Sequence, residues 1–279
     1  MRKILSVFLA ICLCVPIAFT FIGCKKKTTA MARYTRYNKT ENGFEEAADG
    51  NYIKFGSYPQ SEKEESVTIS GNADSNGYFK GSDGEKYEKV DDKYYKVEPL
   101  MWRILTLKEN NEALIFCETI IDQTIYDDDS SNYAQSVLRS FLNDNFYNKA
   151  FNASEKKIIA KINVDNSASK TTKGAEAYAC ENTDDYVFAM AYKDMYNTDY
   201  GYSTWYDDPA KAFLTTDYAR AKGVSAAEID GLEGLGDYWL RSPASSDSAF
   251  YGDPDGRVHQ ARSVYSDGVG IAPALRIKL

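Results

Sequence analysis

Two apolar runs, Pro99-Leu100-Met101-Trp102-Arg103-Ile104-Leu105 and residues 112–121, limit the folds open to this 279-residue chain more than any other feature. Both are rich in β-branched and aromatic residues, which suit a pleated, buried surface, and they predict core strands. Upstream, Tyr52-Ile53-Lys54-Phe55-Gly56 alternates as a strand does, and Ser57-Tyr58-Pro59 turns it. Between Ser61 and Val97, the dipeptides Asn76-Gly77, Asp83-Gly84 and Asp91-Asp92 are hairpin turn signals and predict a small exposed meander. Helical spacing enters only downstream. Tyr133, Val137, Leu138, Phe141 and Leu142 share a helical face behind Ser131 or Asn132 as cap. Asn152 and Glu155 have the spacing of a capping box, with Ile158, Ile159 and Ile162 as the inner stripe of a second helix. Residues 215–222, closed by Gly223, form a third, short helix, and Tyr186-Val187-Phe188-Ala189-Met190 a short strand. Strands return at 238–241 and 270–279. Strands at both ends with helices between them indicate an α+β domain over 50–279, large enough to bury its own core.

Ahead of this domain, Arg2 and Lys3 precede an apolar run that ends at Phe21-Ile22-Gly23-Cys24, before Lys25-Lys26-Lys27. The small residue before Cys24 and the abrupt switch to charge resemble a bacterial lipoprotein signal. Residues 1–23 would then be removed and Cys24 acylated, placing the protein in the cell envelope with the membrane as a partner through its lipid. Residues 24–49 are polar and without hydrophobic periodicity, as expected of a flexible tether. The formal charge is −8, and losing Arg2 and Lys3 makes it more negative. An acidic body of this kind argues against nucleic acid and anionic membrane surfaces as partners. Of the cysteines beyond Cys24, Cys117 and Cys180 could form a disulfide in an oxidising envelope compartment, but Cys117 sits in an apolar run where a buried free thiol is common, and both are expected to be unpaired.

A search for catalytic chemistry turns up little. His259 is the only histidine, no Gly-x-Ser-x-Gly elbow accompanies it, and its neighbours Arg257, Val258, Gln260 and Arg262 alternate as on a strand. The pairs within Asp127 to Asp129, Asp184-Asp185 and Asp207-Asp208 follow from composition. Asp253-Pro254-Asp255-Gly256 has part of a calcium-loop pattern without its terminal Glu and reads as a turn. No metal or cofactor is expected, and no enzymatic activity. Trp102 and Trp239 are expected in the core, and Trp205, between Ser203-Thr204 and Asp207-Asp208, is the exposed candidate among the tryptophans.

The stretch 234–277 contains no Lys and no Glu; Ser, Asp, Tyr, Arg and His259 stand in their place. Short polar groups and rigid aromatics make hydrogen bonds and contact area at low side-chain entropy cost, as recognition surfaces require. Tyr52-Ile53-Lys54-Phe55-Gly56-Ser57-Tyr58-Pro59-Gln60, Trp102-Arg103-Ile104-Leu105, Leu138-Arg139-Ser140-Phe141-Leu142-Asn143, Trp239-Leu240-Arg241-Ser242-Pro243 and Pro273-Ala274-Leu275 resemble an uncharacterised bacterial envelope domain family. The end of that family is similar in turn to the variable proteins of diversity-generating retroelements, which hold a hypervariable surface on a C-type lectin-like fold. The resemblance implies that the first and last strands pair, with two to three helices beside a mixed sheet. It also implies diversification at Asn codons of the form AAC, a process that keeps the final C and so cannot yield Lys, Glu, Met or Trp, nor the Gln found at 260. Residues 245–267 obey that restriction except at Gln260, although Gly/Ser-rich turns also disfavour Lys and Glu. Where the family often reads Val-Arg-Pro, this chain has Gly270-Ile271-Ala272-Pro273.

The expected binding face comprises Ser246, Asp247, Ser248, Phe250, Tyr251, Asp253, Asp255, Arg257, His259, Arg262, Tyr265, Ser266 and Asp267, with Val258 and Val264 anchoring the backbone beneath. Its partner would be an extracellular protein or glycan, met by a monomer. The alternatives are a fixed-specificity carbohydrate binder using tyrosines and Trp205, or an envelope hydrolase requiring His259 or an Asp pair in a cleft.

Overall fold

The apolar runs lie side by side at the centre of the larger of the sheets. The computed structural model describes residues 34–108 and 111–279. The expected signal at 1–23 and the expected lipidation site Cys24 fall outside the described residues. In chain order, the larger sheet begins with β1 (Arg36–Thr40), β2 (Gly43–Glu46) and β3 (Tyr52–Glu62). The meander β4 (Ile69–Ser70), β5 (Phe79–Gly81) and β6 (Lys86–Val90) follows, and then the long β7 (Lys93–Leu107) and β8 (Glu112–Cys117). The meander turns where the dipeptides predict: Gly77, Gly84 and Asp91 all have positive φ. The hairpin β1–β2 pairs onto β3, so the later part of the segment expected to be a tether is built into the sheet's edge.

Two-residue strands β9 (Thr119–Ile120) and β10 (Asp122–Gln123) lead out of the sheet into the helical section. Asn132 caps a 3-10 turn at Tyr133–Gln135, and Ser136 caps the helix that follows. That helix runs from Val137–Ser140 through a π segment at Phe141–Phe146 to Tyr147–Ala150, burying Leu138, Leu142 and Phe146. The capping box of Asn152 and Glu155 forms, yet its helix is the single turn Ala153–Lys156. Of the expected inner stripe, Ile158 lies in the turn that follows, and the other two lie in strands: Ile159 in β11 (Ile159–Ala160), opposite Ile277, and Ile162 in β12 (Ile162–Val164). Closely spaced β-branched residues gain more by completing a buried sheet than by crowding a helix turn.

β12 pairs with β13 (Thr183–Asp185); β14 (Val187–Phe188) joins the larger sheet, and β15 (Phe213–Thr215) pairs with β9 and β16 (Leu235–Gly236). Thr216 caps the short helix Asp217–Ala221. The rest is a smaller sheet of β17 (Tyr238–Pro243), β18 (Ser248–Gly252), β19 (Val258–Ser263) and β20 (Gly270–Ile271) with β10, ordered β10-β20-β17-β18-β19. The final strand, β21 (Ala274–Lys278), returns to the larger sheet. The architecture is α+β and mostly sheet, with short helices.

The expected pairing of first and last strands does not occur. The larger sheet runs β11-β21-β8-β7-β3-β1-β2, which places β8 and β7 between β21 and β3. Both edges of β3 are already taken, by β7 and by β1, while β21 finds an apolar match in β8, Ala274 opposite Phe116 and Ile277 opposite Ala113. Along β8, Ala113, Ile115 and Cys117 enter one hydrophobic cluster, and Leu114 and Phe116 enter another on the opposite face. Burial on both faces is why this strand reads as an unbroken apolar run and not as an alternation. Cys117 and Cys180 are both free thiols, as expected, and burial raises the Cys117 thiol to a pKa of about 12. No helix among the described residues is long and apolar enough to cross a membrane.

Candidate functional site

Every residue of β17 is buried, and the hairpin of β18 and β19 pairs onto its edge in the same sheet. Trp239 is locked there, its indole Nε1 donating to the Thr124 carbonyl at 3.0 Å. Along β18 the side chains alternate. Phe250 points inward, 2% exposed and packed on Tyr192 at 4.7 Å, whereas Tyr251 is half-buried at the surface. Tyr251 faces His259 across the strand pair, and a bulge between the Ala249 and Tyr251 positions brings Arg262 to the same ring. The Tyr251 and His259 rings stack at 5.6 Å and 25°, with the Arg262 guanidinium carbon 4.5 Å from the Tyr251 centroid. Tyr206 meets His259 edge-on at 5.8 Å, and the Arg257 guanidinium carbon lies 5.5 Å from the Tyr206 centroid. The result is one continuous row, Arg262, Tyr251, His259, Tyr206 and Arg257, with a guanidinium at each end of a run of rings. Each such cation–ring contact is worth about 0.5–1 kcal/mol at an exposed site.

Carboxylates hold the row in place. Asp253 pairs with His259 Nε2 at 2.8 Å and accepts the Arg257 backbone N–H at 2.9 Å; Asp255 pairs with Arg257 at 3.1 Å, and Asp237 pairs with Arg262. The Nε atoms of Arg257 and Arg262 are shielded from water without a hydrogen-bond partner. Both ring nitrogens of His259 are engaged, one by Asp253 and the other by the Tyr206 hydroxyl at 3.4 Å, and neither partner is a Ser or Cys nucleophile.

Tyr206 and its neighbour Trp205 come from a loop far upstream, 54% and 76% exposed. Lys211, which has no exposed surface, supports that loop from beneath. Its ammonium donates to the Ser203 and Trp205 carbonyls at 3.3 and 3.1 Å and sits 4.0 Å from the Tyr196 centroid. Burial holds this ammonium below the ordinary lysine range, against the opposing pull of Asp208 and Asp207. From the side, the Asp208 N–H donates to the Gly256 carbonyl at 3.0 Å, and Asp207 bridges to Arg257. Gly256 permits this docking: its φ is +72°, and a Cβ there would lie 2.2 Å from the Asp208 carbonyl oxygen. Gly256→Ala is therefore expected to cost about 1–3 kcal/mol and to detach the Trp205 loop. A lowered melting temperature with greater Trp205 mobility in fluorescence anisotropy would bear this out; an unchanged anisotropy would not.

The structure divides the expected face. Tyr251, Arg257, His259 and Arg262 come together in the row, Val258 and Val264 are buried beneath as anchors, and Trp102 and Trp239 lie in the core. Asp253 and Asp255 belong to the turn at the hairpin tip, where they fix neighbouring cations. Ser246, Asp247, Tyr265, Ser266 and Asp267 gather at the opposite end of the hairpin: the Val264 N–H donates to the Asp247 carbonyl, and the Tyr265 hydroxyl to that of Asp129. Phe250 and Ser248 do not belong to a face at all. Phe250 is a core residue, because the pleat turns it to the side opposite Tyr251, and Ser248 is 8% exposed and bonded to Ser245. Tyr206 and Asp237 were absent from the expected set; exposed Trp205, flanked by short polar residues, was the one signal in the sequence that could have led to the loop. The acidic pairs serve structure: Asp185 binds Arg139, Asp127 accepts the Val137 and Ser130 amides, and Asp208 those of Ser203 and Ala210. No group of three or more His, Cys, Asp or Glu side chains placed to hold a metal occurs among the described residues.

The model of one family, Domain of unknown function (DUF6273), matches residues 110–279. The chain belongs to the DUF6273 family. No curated protein and no solved structure matches it. The DUF6273 segment takes in β8 to β21, and with them the row, the Trp205 loop and Lys211. β1 to β7 precede it, yet β7 pairs along β8 from Trp102–Cys117 to Leu107–Ala113, so the segment is continuous with the strands before it.

Proposed function

We propose that this chain is a non-enzymatic, lipid-anchored surface protein of the cell envelope whose C-terminal hairpin and Trp205 loop form a binding face for an extracellular protein or glycan. The observation that carries the reading is the row of rings ended by guanidinium groups, beside Trp205. Tyr, Trp and Arg are the residue types that dominate binding energy at interfaces. The exposed rings of Trp205 and Tyr206 suit the apolar faces of sugars and of aromatic side chains alike, and the Arg257 and Arg262 side chains at the two ends are partly exposed, at 38% and 34%, to meet acceptor oxygens. His259, with both nitrogens engaged in positioning, supports a binding role over a hydrolytic one. The lipoprotein-like start supports anchoring at Cys24, the restricted alphabet of 245–267 supports diversification of the displayed face, and the motif resemblance alone supports a C-type lectin-like scaffold, here one whose first and last strands do not pair.

The test is a binding screen with the full chain in detergent against glycan and surface-protein arrays. It is run beside a variant carrying Tyr251→Ser, Arg257→Ser and Arg262→Ser. Signals abolished by the substitutions support the proposal. Glycan signals that persist favour the fixed-specificity carbohydrate reading at another face, and a complete absence of signal overturns both.

A further inference from the structure

A cleft of about 270 Å³ opens where β17, β21 and the segment 165–200 meet, and it shares no residue with the aromatic row. We propose that it binds a small free carboxylate on an apolar body, with Arg276 as the group that fixes the carboxylate. Leu114, Phe188 and Met190 line it as apolar wall, and charged side chains stand among them. Asp194 is committed twice within it, to Arg241 at 3.0 Å and to Lys170 at 3.1 Å. Lys108 and Glu112 offset each other in formal charge, and Asp165 offsets the positive charge that Asp194 leaves over from Arg241 and Lys170. Arg276 is left over: it has no carboxylate partner among the described residues, and its Nη1 is shielded from water without a hydrogen-bond partner. A second donor is in the same condition, the Nε of Arg241, a side chain 5% exposed.

Shielded guanidinium donors without acceptors are costly, and they are rare unless something supplies the acceptor. One uncommitted guanidinium points to a monoanion, and its planar fork matches the two oxygens of a carboxylate. The volume equals roughly nine waters at about 30 Å³ each, which suits an aryl or short alkyl acid better than a sugar chain. The apolar wall rewards such a body and gives a bare inorganic anion nothing.

The experiment is calorimetric titration of the full chain with phenylacetate, phenylacetamide and inorganic phosphate. Saturable phenylacetate binding is expected, with little from the neutral amide or from phosphate. Arg276→Gln should weaken it by about tenfold or more, and Arg276→Lys, which keeps the charge and loses the fork, by less. Circular dichroism checks that both variants fold; should Arg276→Gln not fold, the acid-versus-amide comparison and the Lys variant decide. No phenylacetate binding, equal binding of the amide, binding of phosphate alone, or indifference to both substitutions would each overturn the proposal.

Discussion

Asp194→Ala should lower the stability of the fold by about 3–5 kcal/mol, a large share of the roughly 5–15 kcal/mol that holds a typical domain. Asp194 and Arg241 are 8% and 5% exposed, and their ion pair at 3.0 Å joins the 3-10 turn Tyr192–Tyr196 to β17. The carboxylate also accepts the Ala191 N–H at 3.0 Å and binds Lys170. Removing it leaves Arg241 buried with only the Ala189 and Asp165 carbonyls at 2.7 and 3.2 Å. An uncompensated buried charge costs more than the pair itself contributes, so Asp194→Ala combined with Arg241→Met should be milder than Asp194→Ala alone. The same pair makes a statement about pH. Burial pushes the Asp194 carboxyl upward, but Arg241, Lys170 and the Ala191 amide together pull it below the ordinary carboxylate value. Its stabilising contribution is therefore complete above the unfolded pKa near 3.9 and is lost as pH falls through the lower, folded value. Urea midpoints at neutral pH and near pH 3 measure both effects. The gap between the parent chain and Asp194→Asn should narrow in acid, and a pH-independent gap would contradict the assignment.

Trp205→Ala should show the opposite profile, with stability nearly unchanged and binding lost. At 76% exposure the indole contributes little to the core, and surface substitutions of this kind usually shift stability by about 0.5 kcal/mol or less. At an interface, a Trp anchor is worth about 2 kcal/mol or more, which is roughly thirtyfold in affinity. The measurement is the dissociation constant for any ligand captured by the array, beside the melting temperature. Phe250→Ala is the contrasting control, since it truncates a buried ring, and should lower stability by about 3–5 kcal/mol. Binding that survives Trp205→Ala would remove the loop from the face.

How far the sequence reveals this arrangement depends on the kind of signal. Turn dipeptides, the Asn152–Glu155 capping box and the central apolar strands are local patterns, and the structure reproduces them. The extent of the helix after Asn152 was not readable, because Ile159 serves Ile277, more than a hundred positions away. Of the adjacent aromatics Phe250 and Tyr251, alternation says that one faces inward, but strand register decides which, and that is set by pairing with His259 and Arg262. The contribution of Tyr206 was invisible for the same reason. It reaches His259 only because Lys211 props the loop and Gly256 receives it. Strand pairing also defeated the expected union of first and last strands, since β3 had no vacant edge to offer.

The position of β21 between β8 on one side and β11 with β14 on the other bears on how such a chain is made. Until Ala274–Lys278 arrive, Leu114 and Phe116 belong to an open border, so the sheet is still unfinished after β9 to β20 have all been synthesised. Closure that waits on so distant a segment is slow. Under the envelope reading proposed above, that delay would keep the polypeptide threadable through a translocation channel, and deletion of Ala274–Lys278 should be far more damaging than the loss of so short a strand suggests.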